Sequence, residues 1–65
     1  MNKAEYPVML NVEHVMEILG VSKRRAYEIM DIESFPLIRL GRSKRVQRDR
    51  FFEWLDEQAS SKSVR

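Results

Sequence analysis

The first pattern in the chain is an apolar stripe with helical spacing in NVEHVMEILG, residues 11–20. The apolar positions of one side of the helical wheel are Val12, Val15, Met16 and Leu19. Their spacing of i, i+3, i+4 and i+7 predicts an amphipathic helix packed through one face. Asn11 is a favourable N-cap, and a glycine at position 20 is a favourable C-terminal stop. Both ends of this helix are therefore marked in the sequence.

A second helix follows almost at once in SKRRAYEIM, residues 22–30. Ser22 is its N-cap, and Ala26, Ile29 and Met30 form the stripe that faces inward. The small side chain of Ala26 suits two helices that cross at close approach. Two capped helices joined by a tight turn predict a helix-turn-helix.

An alternating pattern replaces the helical one in LIRL, residues 37–40. Ile38 and Leu40 share one face while the arginine between them points to the other, which is the period of a strand. The glycine that follows permits a tight turn, so residues 37–47 are predicted to form a β-hairpin with its tip at residues 41–44.

The last helix is predicted in DRFFEWLDEQ, residues 49–58. Phe51, Trp54 and Leu55 fall on its inward side, whereas residues 59–65 are polar and are predicted to be a frayed tail. The fold class is then α+β, mostly α: a winged helix-turn-helix with two helices, a two-stranded hairpin as the wing, and a C-terminal helix.

Length and composition narrow the possible functions. A chain of 65 residues corresponds to a single domain, here residues 1–65 with a core at about 9–58. It has no cysteine for a disulfide or thiolate metal site, and its lone histidine, His14, fits a helix surface better than a metal site. Because no Ser/His/Asp, metal-binding or glycine-rich phosphate motif is present, we expect neither an enzyme nor a cofactor. Without an apolar run of membrane-spanning length or a signal peptide, we expect a cytoplasmic, nucleoid-associated protein.

The charges are segregated although the net charge is only +2. Most of the acidic residues lie outside the two dense basic clusters, so one face is expected to be basic, as in proteins that bind a polyanion. The basic residues between positions 22 and 50 are Lys23, Arg24, Arg25, Arg39, Arg42, Lys44, Arg45, Arg48 and Arg50.

The outward face of the second helix carries groups that can read DNA. Helical spacing points Arg24 and Glu28 away from the core stripe, with Arg25 and Tyr27 beside them and Lys23 in the first turn. Arginine can bridge guanine O6 and N7, and glutamate can accept from cytosine N4 in the major groove. The alternative is a solvated helix surface with a weak Arg24–Glu28 pair.

The predicted hairpin carries the second basic cluster at Arg39, Arg42, Lys44 and Arg45. A narrow basic tip suits the minor groove, whose negative potential attracts arginine. Basic residues at the start of the last helix, Arg48 and Arg50, are predicted to meet phosphates. The alternative is a solvated turn, which would not require these residues to lie on the same side as the basic cluster of the second helix.

These segments resemble a known family. The chain is similar to the excisionase and AlpA-like group of small winged helix-turn-helix proteins, which is related to the MerR DNA-binding domain. The similar segments are LNVEHVMEILGVSKRRAYEIM and FPLIRLGRSKRVQRDRFFEWL. The resemblance covers about residues 9–57 and implies that the second helix enters the major groove while the wing contacts the adjacent minor groove. The contact residues that it implies are Ser22, Lys23, Arg24, Arg25, Tyr27 and Glu28 on the helix, and Arg39, Arg42, Ser43, Lys44 and Arg45 on the wing.

The resemblance implies one of two functions. An excisionase, or recombination directionality factor, binds and bends double-stranded DNA near attachment sites and helps an integrase, here a tyrosine recombinase, to excise a mobile element. Several copies could bind side by side on the DNA. The other function is transcription regulation at a promoter. The chain shows no dimerisation helix or effector domain of the MerR type, which favours the excisionase. A protein-binding adaptor that uses its acidic helix faces is a third alternative, and steeply salt-dependent DNA binding would exclude it.

Overall fold

The computed structural model describes residues 3–63, in which three α-helices pack with a three-stranded antiparallel sheet. No helix in this range is both long enough and apolar enough to cross a membrane. In chain order the elements are a 3₁₀ turn Lys3–Glu5, β1 Met9–Leu10, α1 Val12–Leu19, α2 Lys23–Met30, β2 Leu37–Leu40, β3 Ser43–Gln47 and α3 Arg48–Ser63. This is the winged helix-turn-helix that the sequence predicted.

The first helix begins and ends where its caps predicted. The Asn11 side-chain oxygen accepts hydrogen bonds from the backbone N–H groups of Glu13 and His14, at 3.0 and 3.2 Å. The Asn11 N–H donates in return to Nδ1 of His14 at 3.1 Å, so the two residues form a reciprocal capping box. At the other end Gly20 has a φ of 66°, a left-handed conformation that glycine adopts without steric cost, and its N–H donates to the Met16 carbonyl at 2.7 Å.

The second helix starts at the predicted cap and uses the predicted inward stripe. The Ser22 hydroxyl accepts a hydrogen bond from the Arg25 N–H at 3.2 Å. Ala26 and Met30 are buried, and Ile29 is half-buried against the same core. The absence of a large side chain at position 26 allows the two helices to approach closely.

The sheet has one more strand than the sequence predicted. Its order is β1-β3-β2, with β3 in the centre. Leu10 of β1 pairs with Val46 of β3, and both side chains are fully buried. A strand of two residues is too short to show an alternating pattern, which is why the sequence did not predict it.

The hairpin residues alternate as predicted, but the register decides which face meets the core. Leu37 pairs with the fully buried Val46 and packs on the core. Ile38 and Leu40 therefore lie on the outer face of the sheet, where Leu40 is 56% exposed. The apolar pattern alone cannot establish this, because the neighbouring position 37 is apolar as well.

The turn of the hairpin is tighter than predicted. Leu40 pairs with Ser43, so the connection is only Gly41 and Arg42 rather than residues 41–44. Gly41 has a φ of 63°, and no described non-glycine residue has a positive φ, which is the pattern of a type II′ turn with glycine first. As a result Ser43 and Lys44 belong to the strand, where their side chains alternate between the two faces.

Helix α3 closes the core with its aromatic residues. Phe51 and Trp54 are buried, as predicted, and Leu55 is half-buried against them. The helix continues to Ser63, past position 58, where the sequence predicted that a frayed tail would begin; residues 64 and 65 lie outside the described range. The buried core consists of Leu10, Val15, Ala26, Met30, Phe35, Val46, Phe51 and Trp54.

Candidate nucleic-acid interface

A groove of about 380 Å³ lies between α2 and the wing. Lys23 and Tyr27 line it from α2, and Asn11, Val12 and Glu13 line it from the start of α1. The wing contributes Arg42, Ser43, Lys44 and Arg45. Lys23 of the basic cluster on α2 is thus brought beside the wing cations, whereas Arg25 lies along a separate groove with Ile29 and Leu55.

The outward face of α2 presents its arginines around one carboxylate. Arg24 is the most exposed, with 90% of its side chain accessible, and its Nε lies 3.6 Å from Oε2 of Glu28. Nη1 of Arg25 donates to Oε1 of the same glutamate at 3.1 Å. Exposed ion pairs of this kind contribute about 0–1 kcal/mol, so both guanidinium groups can be released to a ligand at little cost.

The first turn of α2 adds further groups suited to an anion. The Nζ of Lys23 is 3.7 Å from Oε2 of Glu13 on α1, and both side chains are largely exposed. The hydroxyl of Ser22 is occupied as the helix cap. Because the N-terminal end of a helix carries partial positive charge, the cap, Lys23 and the dipole together make this end attractive to phosphate.

The wing divides its basic residues between different environments. Arg42 is exposed at the tip, and among the described residues it has no ion-pair partner. Arg39 is also exposed and lies opposite Lys44 across the hairpin. Arg45 is half-buried, and its Nη1 donates to the backbone carbonyl of Lys44 at 3.0 Å. Arg42 at the tip and Arg39 are therefore more available to a ligand than Arg45.

The other lysine of the wing is held against α2. Nζ of Lys44 donates to Oδ1 of Asp31 at 3.1 Å, and only 27% of the lysine side chain is exposed. The same ammonium lies 5.6 Å from the centre of the Tyr27 ring, within the range of a cation–π contact. This residue joins the wing to the helix.

The two arginines at the start of α3 do not line the helix–wing groove. Nη1 of Arg48 donates to the Tyr6 carbonyl at 2.9 Å, and its Nε lies 3.3 Å from Oδ1 of Asp49. It anchors the N-terminal segment across the sheet. Arg50 is exposed but lies beside Pro36, along two other grooves.

Comparison with known families decides what kind of domain this is. A family model described as a helix-turn-helix domain matches residues 9–59, which is most of the chain. The chain belongs to this helix-turn-helix domain family. No curated protein and no solved structure gives a significant match.

Membership of the helix-turn-helix family indicates that this domain binds DNA. Domains of this kind place the second helix of the motif against double-stranded DNA, and here that helix is α2, with the wing at its side. The domain is thus a DNA-binding domain, and the arginine and glutamate side chains on α2 have the chemistry for contacts with base edges.

Sequence reasoning missed groups that complete this surface. Asn11 and Glu13 line the groove from α1, and Asp31 holds the wing lysine. The position of Asp31 could have indicated an ion pair. A carboxylate at the C-terminal end of a helix is unfavourable because of the helix dipole, unless a cation lies nearby. No sequence signal identified that partner, because the residues lie on different elements.

Proposed function

We propose that the protein is an excisionase: an architectural DNA-binding protein that binds near attachment sites, bends the DNA and assists an integrase in excising a mobile element. The observation that carries the proposal is the groove that Lys23 and Tyr27 of α2 line together with the wing cations Arg42, Lys44 and Arg45. The resemblance of the motif segments to excisionase and AlpA-like proteins supports the finer assignment.

In this proposal the two elements have different tasks. Helix α2 enters the major groove, where Arg24 and Glu28 meet base edges and Arg25 and Lys23 meet bases or phosphates near the helix start. The tip of the wing, led by Arg42, enters the adjacent minor groove. These contacts are flanked by further residues of both elements: Ser22, Tyr27, Arg39, Ser43 and Arg45.

Contact with two adjacent grooves from one small domain also supports the bending role. Arginine at a narrow minor groove is a recognised way of stabilising deformed DNA. Exposed cations at the wing tip neutralise phosphates on one side of the duplex only, and this favours curvature toward the protein. The integrase, a tyrosine recombinase in this proposal, and additional copies of the protein would act on the curved DNA.

Footprinting on the DNA around the encoding gene tests the biological role. We expect protection of repeated sites, in phase with the helical repeat, beside an integrase binding site, together with slower gel migration that depends on the position of the site in the fragment. Protection confined to a promoter, with no bend, would assign the protein to transcription regulation instead.

The electrostatic part of the proposal predicts a salt effect. Lys23→Ala and Arg42→Ala should each weaken binding to every duplex and reduce the slope of log K against log salt concentration by about 0.9, the value for one lost phosphate contact. Fluorescence anisotropy over a salt series measures this slope.

Arg50→Ala is the matched control, because it removes an exposed arginine that lies outside the helix–wing groove. Its slope should equal that of the wild type. If Arg50→Ala lowers the slope as much as Arg42→Ala does, the DNA lies on a different face from the one proposed.

A further inference from the structure

The C-terminal end of α2 is electrostatically unusual. Asp31 is its C-cap, and the last turn of the helix contains no basic residue. The carbonyl end of a helix carries partial negative charge, so a carboxylate there is unfavourable unless a cation lies close by. The sequence of α2 itself supplies no such cation.

The wing supplies that cation. The ammonium of Lys44 lies 3.1 Å from the Asp31 carboxylate and over the face of Tyr27. Lys44 thus contacts Tyr27 of α2 and the C-cap Asp31, which lie one helical turn apart. Its side chain is the least exposed of those in the basic pairs around the groove, at 27% against 58% for Lys23.

The neighbours of Lys44 show why this contact matters. Arg39 lies directly across the hairpin from it, and two like charges in that arrangement repel each other. Asp31 neutralises one of them. Without Asp31 the hairpin would carry two facing cations, neither of them paired with this carboxylate.

We propose that Lys44 is a positioning residue that sets the distance and angle between the wing and α2, and that it does not itself bind phosphate. The inference rests on the proposed DNA-binding function and deepens it. The Lys44–Asp31 pair and the Tyr27 ring hold the wing tip in register with the helix, so that DNA of the right groove geometry meets both elements at once. Asp31 thereby becomes a specificity-determining residue although it carries the wrong charge to touch DNA.

Asp31→Asn gives opposite results for the two possible roles of Lys44. The probes are a duplex that the wild-type protein selects from a randomised pool and a scrambled duplex of equal length. If Lys44 positions the wing, the variant binds the selected duplex roughly two- to five-fold more weakly, the scale of one partly exposed ion pair, and the scrambled duplex no more weakly than the wild type does. If Lys44 binds phosphate, removal of the acid frees it, and both duplexes bind more tightly with a steeper salt slope.

Lys44→Met and Arg42→Met form a matched pair on the same hairpin. Lys44→Met should bind the selected duplex roughly two- to five-fold more weakly than the wild type, with an unchanged slope of log K against log salt concentration. Arg42→Met should lower that slope. Combined with Asp31→Asn, Lys44→Met should cause no further loss, because the two changes remove one interaction. A fall in slope for Lys44→Met equal to that for Arg42→Met, or additive losses in the double variant, overturns the inference.

A measurement without DNA separates this inference from the proposed function. In nuclear magnetic resonance spectra of the free protein, the side-chain protons of Lys44 should be displaced by the Tyr27 ring current, and Asp31→Asn should abolish the displacement while the rest of the spectrum stays folded. Undisplaced Lys44 protons in the wild type refute the positioning role. If the displacement is present but the wild type selects no duplex, the DNA-binding function fails and the contact is purely structural.

Discussion

Trp54→Ala is expected to remove about 3–5 kcal/mol from the free energy of unfolding. The ring is 6% exposed and packs against two other aromatic residues, with its centre 5.0 Å from that of Phe35 and 6.5 Å from that of Phe51. Its Nε1 also donates to Oγ of Ser34 at 3.1 Å. A core in a domain of this size rarely supplies more than about 3–5 kcal/mol, so the variant should be largely unfolded and should not bind DNA.

Chemical denaturation followed by circular dichroism measures the loss. Leu40→Ala is a suitable control, because it removes a large apolar side chain that is 56% exposed on the outer face of the sheet, and its midpoint should stay close to that of the wild type. A Trp54→Ala variant that unfolds cooperatively near the wild-type midpoint would show that α3 does not close the core as described.

Arg24→Ala is expected to have the largest effect on recognition. Arg24 projects from α2 with 90% of its side chain exposed, and its Nε lies 3.6 Å from Oε2 of Glu28. If its guanidinium binds a base edge, its loss should weaken binding to the selected duplex by about 1–3 kcal/mol and relax preference at one base position. Binding to scrambled DNA should fall much less, since no base contact is lost there.

Arg42→Ala provides the comparison. Arg42 is exposed at the tip of the wing, where we propose contact with the minor groove and backbone, so its loss should lower affinity for selected and scrambled duplexes by similar factors. Paired titrations at one salt concentration, with both duplexes and both variants, measure the difference. If Arg24→Ala lowers the affinity for the selected and the scrambled duplex by the same factor, α2 does not recognise bases through Arg24.

The local features of the fold could be predicted because short-range chemistry determines them. Asn11 and Ser22 each stand directly before an apolar stripe with helical spacing and cap the helix that follows. Gly20 adopts the left-handed conformation that ends the first helix. Trp54 lies inward because its spacing from Phe51 matches the helical period. Each of these signals lies within one element.

The remaining features depend on contacts between elements. The strand Met9–Leu10 exists because β3 offers a pairing edge, and the outward position of Leu40 follows from the register of a two-residue turn. Arg48 was predicted to meet phosphate, yet its guanidinium binds the Tyr6 carbonyl, a partner far away in the sequence. The residue type alone indicates a cation but not what the cation contacts.

The candidate site shows the same division. The sequence identified the basic residues of α2 and the wing, and the fold places Lys23 of α2 along one groove with Arg42, Lys44 and Arg45 of the wing. The sequence did not show that Lys44 is paired with a carboxylate while Arg42, among the described residues, is not. The partner of Lys44 is Asp31, which lies at the end of another element.

The central claim is that α2 and the wing bind DNA together as one surface. Titration of isotope-labelled protein with the selected duplex, followed through backbone amide resonances, tests it most directly. We predict that amides in residues 22–28 and 41–45 shift together along one binding curve, while those around Glu53 and Glu57 on α3 stay in place. Shifts confined to one of the two segments, or largest on α3, would contradict the account.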